Sequence, residues 1–227
     1  MKIKPRHLTA VTVSSLIAMS ILVAGLTFGP KHITVAQTAT GDSELAGHLA
    51  QHAPKGAHNL AAAVVDSNGA VKFAGLGADE NTEFEIGSVS KTFTAELLRQ
   101  AVERGEVTLD TTVGEILDDA DMSTSDITLK ELATHTSGLP RILGISAFAV
   151  AISMQRKQNP YDGFTTQRIL DEARTATLAD RGTYNYSNFG MALLGHLLAR
   201  RAGTTYAQLA QERIFTPLGM SNTYVMT

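Results

Sequence analysis

Ser88, Lys91, Tyr186 and Asn188 are the side chains of this sequence whose types and spacing could do chemistry together. Serine is a weak nucleophile at its own pKa and needs a base or an electrostatic assist. Ser88-Val89-Ser90-Lys91 sets an amine three residues after a hydroxyl, on the same face of a helix one turn away. A helix start adds free N–H groups and a positive dipole end, and both favour a developing oxyanion. Far downstream, Tyr186-Ser187-Asn188 opens a second apolar helix. A phenol beside an ammonium has its pKa lowered and becomes a proton shuttle. Asn188 offers both a donor and an acceptor, and is expected to hold Lys91 and a substrate amide together. Each motif alone has a plainer reading. Ser88 is then a helix cap followed by a solvated Lys91, and Tyr186 and Asn188 pack and cap a helix start. Ser and Lys are common enough that a lone Ser-x-x-Lys carries little information.

Elements must position these groups. Apolar residues Phe93, Leu97, Leu98, Ala101 and Val102 recur at helical spacing after Ser88, ending near Gly105, and Gly87 permits the corner that presents the hydroxyl. Upstream, a short helix is expected from Glu44 to Ala53, stopped by Pro54. Leu60–Val65 and Ala70–Ala74 read as a hairpin around an Asn-Gly turn. Thr82–Ile86 suggests a third strand. Further helices are expected over Leu129–His135, Thr165–Ala176, Asn188–Ala202 and Thr205–Phe215. Strands lead and helices follow, which is an α+β arrangement.

Composition narrows the partners. The chain has 227 residues, enough for one sizeable core, and a net charge of −3. Lys2, Lys4, Arg6 and Lys31 occur in the first 36 residues with no acid, so the remaining body is more acidic still. That argues against a nucleic-acid partner, which needs a basic footprint. The absence of cysteine excludes disulfides, a thiol nucleophile and zinc–thiolate sites. His48 and His52 have a metal-compatible i, i+4 spacing, but no third ligand accompanies them and solvent-facing histidines are the better reading. No metal and no cofactor is expected.

Lys2, Lys4 and Arg6 precede an uncharged stretch over 8–30, the pattern of an export signal. Its length also approaches that of a bilayer span, so a cleaved signal and a retained anchor both remain open. The expected organisation is a signal or anchor over 1–36, a linker over 37–43, and a domain over 44–227 lying outside the cytoplasm, secreted or membrane-anchored.

Several ordered motifs carry a family likeness. Phe84-Glu85-Ile86-Gly87-Ser88-Val89-Ser90-Lys91-Thr92-Phe93-Thr94-Ala95 resembles the active-site segment of class C β-lactamases and related low-molecular-weight penicillin-binding proteins and esterases. His135-Thr136-Ser137-Gly138-Leu139-Pro140, Tyr186-Ser187-Asn188-Phe189-Gly190 with Leu193-Leu194-Gly195, and Pro217-Leu218-Gly219-Met220 with Asn222-Thr223 match further signatures in the same order. The resemblance implies a β-lactamase/transpeptidase-like antiparallel sheet flanked by helices, plus an all-helical subdomain. It implies that Ser88 is acylated, that Lys91 and Tyr186 shuttle its proton, and that Asn188 binds substrate. The Ser88 N–H would form half of an oxyanion hole, and the His135 segment would be structural. The substrate would be a β-lactam, a D-Ala-D-Ala peptide of peptidoglycan type, or a small ester.

Two departures from the family pattern stand out. Family members carry a Lys or His followed by Thr or Ser and Gly on a later sheet-edge strand, and no such triplet follows Asn188 here. The expectation is a truncated domain whose C-terminal sheet strands are missing, with one oxyanion donor fewer, a loss worth about 10²–10³ in rate. A non-catalytic remnant that only binds or folds is the alternative. The second departure is the uncharged apolar run 142–154, read as a buried helix, or else as a lid over the cleft or a membrane-surface contact.

Overall fold

The computed structural model describes residues 33–142, 144, 152–153, 155–156, 159, 161 and 164–226. The expected export segment over 8–30 and most of the apolar run 142–154 lie outside the described residues. The chain divides into two compact units, Met1–Thr82 and Glu83–Thr227.

In the first unit, three antiparallel strands lie in the order β1-β3-β2: β1 (Ala39–Gly41), β2 (Leu60–Val65) and β3 (Val71–Leu76). Ala39–Gly41 falls within the segment read as linker, yet it pairs with Ala74–Leu76 of β3. Helix α1 (Ser43–His52) follows at once, capped by Asp42, whose carboxylate accepts the Leu45 N–H at 2.9 Å. A small core of Ala46, Ala74 and Leu76, with Leu45, Leu49 and Leu60 around it, joins helix to sheet.

The expected hairpin is present, but its turn is not the two-residue Asn-Gly type. Asp66 accepts the Gly69 N–H through its carbonyl, and its carboxylate accepts from Asn68 and Ala70. Gly69 alone of these residues takes a positive φ, +81°. This is a three-residue loop with glycine at the left-handed position, and Asp66 rather than Asn68 organises it.

The second unit is helical. It comprises α2 (Ser90–Glu103), α3 (Val113–Leu117), α4 (Leu129–Ala133), α5 (Thr166–Thr175), α6 (Asn188–Arg201) and α7 (Tyr206–Ala210). Helix α6 is apolar around most of its circumference until Arg200 and Arg201 at its exposed end, as suits a central helix. Phe189, Leu193, Leu194, Leu197 and Leu198 are all buried, and α2, α3, α4, α5 and α7 each contact it. Phe93 of α2 meets Phe215 edge-on at 5.4 Å between ring centroids. Helix α7 passes into a π turn over Gln211–Phe215 instead of continuing as α-helix.

Helix starts follow their capping residues. Thr112 with Glu115, Thr128 with Glu131 and Thr205 with Gln208 form reciprocal capping boxes. Helix α3 was not expected, although Thr112-x-x-Glu115 marks its start. At five residues it is too short to show a periodicity. Thr82–Ile86 is not a strand. Phe84 and Ile86 alternate as a strand would, but their side chains line a cavity and no strand pairs with them among the described residues.

Arg181 ties the loop before α6 to α4. Its guanidinium donates to both Glu131 oxygens at 2.7 and 2.9 Å, and to the Asp126 carboxylate at 2.6 Å. The Arg181 hydrogen bonds hold the Glu131 carboxyl down at about 2, against an ordinary 4.5. Because the folded value is depressed, this stabilisation is present above the unfolded pKa and is lost as pH falls toward 2. Glu131→Gln is therefore expected to destabilise the fold by about 1–2 kcal/mol at pH 7, allowing for solvent screening. Urea denaturation at pH 7 and near pH 2.5 checks this, since the difference from wild type must shrink in acid.

Candidate active site

Gly87 takes φ +52° and opens a single 3-10 turn, Gly87–Val89, that runs directly into α2. The left-handed backbone at this corner favours glycine, as expected, although no strand precedes it. Ser88 is left exposed at the tip of the turn. One turn on, the Lys91 ammonium donates to Ser88 Oγ at 3.2 Å.

Tyr186 arrives by a different route. The chain from Ala179 to Asn188 is laid along the backbone of residues 135–141 by a series of hydrogen bonds. Ala179 N–H donates to Gly138 O, Gly182 N–H to Thr136 O, Asn185 N–H to His135 O and Asn188 N–H to Arg141 O, at 2.8–2.9 Å. Gly138 is required where the two segments approach. A Cβ there would lie 2.9 Å from Ala179 O, and the residue has φ +75°. Ser187 is buried and closes the register: its hydroxyl donates to Pro140 O at 2.7 Å and accepts the Gly190 N–H as the N-cap of α6.

The result is convergence on one oxygen. The Tyr186 hydroxyl donates to Ser88 Oγ at 2.8 Å, opposite a second donor in Lys91. Lys91 Nζ and the Arg141 guanidinium each lie 4.9 Å from the Tyr186 ring centroid. The phenol's pKa is lowered, first by hydrogen bonding from Lys91, then by Ser88, with the charges of Lys91 and Arg141 adding to it. A phenol so placed can take a proton from a serine hydroxyl and return it.

Asn188 is brought to the same site but not with the expected partner. Its Nδ2 donates to the Tyr161 hydroxyl at 3.3 Å, and its Oδ1 is buried with no hydrogen-bond partner among the described residues. The anticipated bridge from Asn188 to Lys91 is therefore not made. A buried acceptor left open in this way is costly unless a ligand fills it. A cavity of about 440 Å³ adjoins the site and is walled in part by Lys91, Asn188, Phe84, Met191 and Tyr206.

Arg141, Tyr161 and His135 are the neighbours that reading the motifs did not assign to the site. Arg141 and Tyr161 carry no spacing signal, since only the folded path of the chain brings them near. His135 lies in a recognisable segment and has φ +59° at the end of α4, where Thr136 N–H returns to Glu131 O and His135 N–H to Leu132 O. That helix stop normally takes glycine, and the left-handed conformation costs another residue about 1–2 kcal/mol. His48 and His52 stack 4.2 Å apart on α1, with His52 Nδ1 against the His48 carbonyl. No group of three metal-ligating side chains occurs among the described residues. No helix among them is long and apolar enough to cross a membrane.

Known proteins resemble this chain in sequence and in fold. The chain is 30% identical over 148 residues to a beta-lactamase of Providencia stuartii, covering 64% of this chain and 35% of that protein. It is 28% identical over 175 residues to penicillin-binding protein 4 of Amycolatopsis lactamdurans, covering 72% and 40%. It superposes on the class C beta lactamase of Rhodobacter sphaeroides with a TM-score of 0.55 at 31% identity, covering 71% of this chain and 44% of that one. The chain thus spans well under half the length of these relatives. The beta-lactamase family profile matches residues 35–227, and the chain belongs to the beta-lactamase family of serine hydrolases.

Proposed function

We propose that this chain is an exported serine hydrolase acting on an amide or ester through an acyl-enzyme. Ser88 is the nucleophile, Lys91 and Tyr186 carry its proton, and Asn188 binds substrate. The observation that carries the reading is the convergence of the Tyr186 hydroxyl and the Lys91 ammonium on Ser88 Oγ, at 2.8 and 3.2 Å.

In this reading Ser88 Oγ bonds to the substrate carbonyl carbon as its proton passes to the Tyr186 oxygen. The Ser88 N–H, in the first turn of the helix, supports the oxyanion. The carbonyl then re-forms, the bond to the amine or alkoxide breaks, and the leaving group takes the proton from Tyr186. Water repeats the sequence in reverse on the ester of Ser88 and releases the acid. Asn188 Oδ1, without a partner among the described residues, suits a substrate with an N–H donor, and the apolar cavity walls suit a small organic substituent. β-Lactams, D-Ala-D-Ala peptides of peptidoglycan type and small esters all present the necessary carbonyl. The relatives named beta-lactamase and penicillin-binding protein support that range. A chain that binds without turning over is the competing reading.

Three outcomes test the proposal. The folded protein should take a fluorescent penicillin or fluorophosphonate covalently, and Ser88→Ala should abolish labelling; no label on folded wild-type protein favours binding alone. With Tyr186 as base, the acylation rate should rise with pH along a limb below the ordinary phenol value of about 10. Lys91→Ala should move that limb upward by removing the main cause of the lowering, and Tyr186→Phe should abolish it at a cost of about 10²–10⁴ in rate. Export rests on Lys2, Lys4 and Arg6 ahead of the uncharged stretch 8–30. Fractionation of expressing cells should find the domain outside the cytoplasm, and replacing the three basic residues by acidic ones should retain it inside.

A further inference from the structure

His135 touches none of the reacting atoms, yet its contacts bracket the residue that does. Its carbonyl accepts the Asn185 N–H at 2.8 Å, and its Nδ1 accepts the Ser187 N–H at 3.2 Å. These bonds grip the chain immediately before and immediately after Tyr186. Between them the imidazole lies 4.6 Å from the Tyr186 ring, centroid to centroid. A backbone N–H can only donate, so Nδ1 must be unprotonated and the ring proton must sit on Nε2. The backbone at His135 is also strained in a way that glycine would relieve. Glycine would serve the helix stop equally well, but it would supply neither the acceptor nor the ring.

We propose that His135 is a positioning residue for the Tyr186 phenol: the neutral imidazole, bonded to Ser187 and packed on the phenol ring, holds Tyr186 over Ser88. This rests on reading Tyr186 as the proton carrier for Ser88. The surroundings of the ring keep it neutral. Lys91 faces it from α2, Tyr184 meets it edge-on at 5.9 Å from the loop that also carries Tyr186, and Arg141 lies over the Tyr186 ring. Burial, and then the Lys91 charge, hold the imidazole below the usual histidine range. In acid the ring gains a proton at Nδ1, the Ser187 bond breaks, and a second cation faces Lys91. The phenol is then released.

The tautomer is read directly in wild-type protein by nitrogen NMR of ¹⁵N-histidine, with the His135 signal assigned by its loss in His135→Gly. The expected signature is an Nε2–H tautomer that protonates below the ordinary histidine range; an Nδ1–H tautomer at neutral pH overturns the proposal. Phenol position is read by tyrosinate absorbance, taking wild type minus Tyr186→Phe. In His135→Gly the Tyr186 titration should move back toward the ordinary phenol value while the melting temperature holds. With a chromogenic ester, kcat should fall about 10- to 100-fold with KM little changed. An unmoved Tyr186 titration in folded His135→Gly also overturns the proposal. Should that variant not fold, the wild-type tautomer decides alone. Neither spectroscopic readout requires turnover. A protein inert to substrate, with both signatures as expected, would sink the hydrolase reading and leave the positioning role standing.

Discussion

The backbone docking of residues 179–188 along residues 135–141 is the constraint on which the site depends. Each hydrogen bond in that seam contributes only about 1 kcal/mol net. Their collective effect is geometric, because they fix where one phenol oxygen lies relative to one serine oxygen supplied by a different helix. Misplacement by about 1 Å would remove most of the advantage of having both groups. Gly138 lets the two segments come close enough, and buried Ser187 joins the seam to the start of α6. Arg181 anchors the same loop to α4 from its other end.

Helix α6 joins that seam to the candidate site. Most of it is buried as far as Ala199, and α2 packs directly on it. The starts of both helices meet at one place, with Ser88 and Lys91 supplied by the first, and Tyr186 and Asn188 by the second. Lys91 and Arg141 add full positive charges around the Tyr186 ring. Such a field favours phenolate over phenol and an oxyanion over a neutral carbonyl, which is the pattern acyl transfer requires. Burial and then the Lys91 charge disfavour a protonated His135, so the cation that most lowers the phenol's pKa also helps keep its support neutral.

Much of this was legible before folding. Leu60–Val65 and Ala70–Ala74 read as a hairpin because apolar residues flank a turn-forming tetrapeptide, and α2 and α6 announced themselves by helical spacing. Thr82–Ile86 misled because alternation reports only that one side is apolar. Phe84 and Ile86 satisfy that beside a cavity rather than in a sheet. Edge strand β1 was hidden because Thr40 alone, between Ala39 and Gly41, makes no strand pattern, and its pairing is a backbone matter settled by β3. The three-residue hairpin loop turned on Asp66, whose carboxylate accepts two backbone N–H groups, rather than on Asn68.

By itself the sequence determined which chemistry was available. A hydroxyl and an amine one turn apart meet through helix geometry alone, which is local and needs no tertiary partner. Four ordered motifs also determined the family. Only the tertiary structure decided that the Tyr186 phenol reaches Ser88, that Asn188 turns to Tyr161 instead of Lys91, and that His135 and Arg141 flank the phenol. Those side-chain contacts join residues tens of positions apart, and the seam that places Tyr186, His135 and Arg141 together is made of backbone hydrogen bonds, whose N–H and carbonyl groups are the same in every residue that carries them. No side-chain pattern could record them.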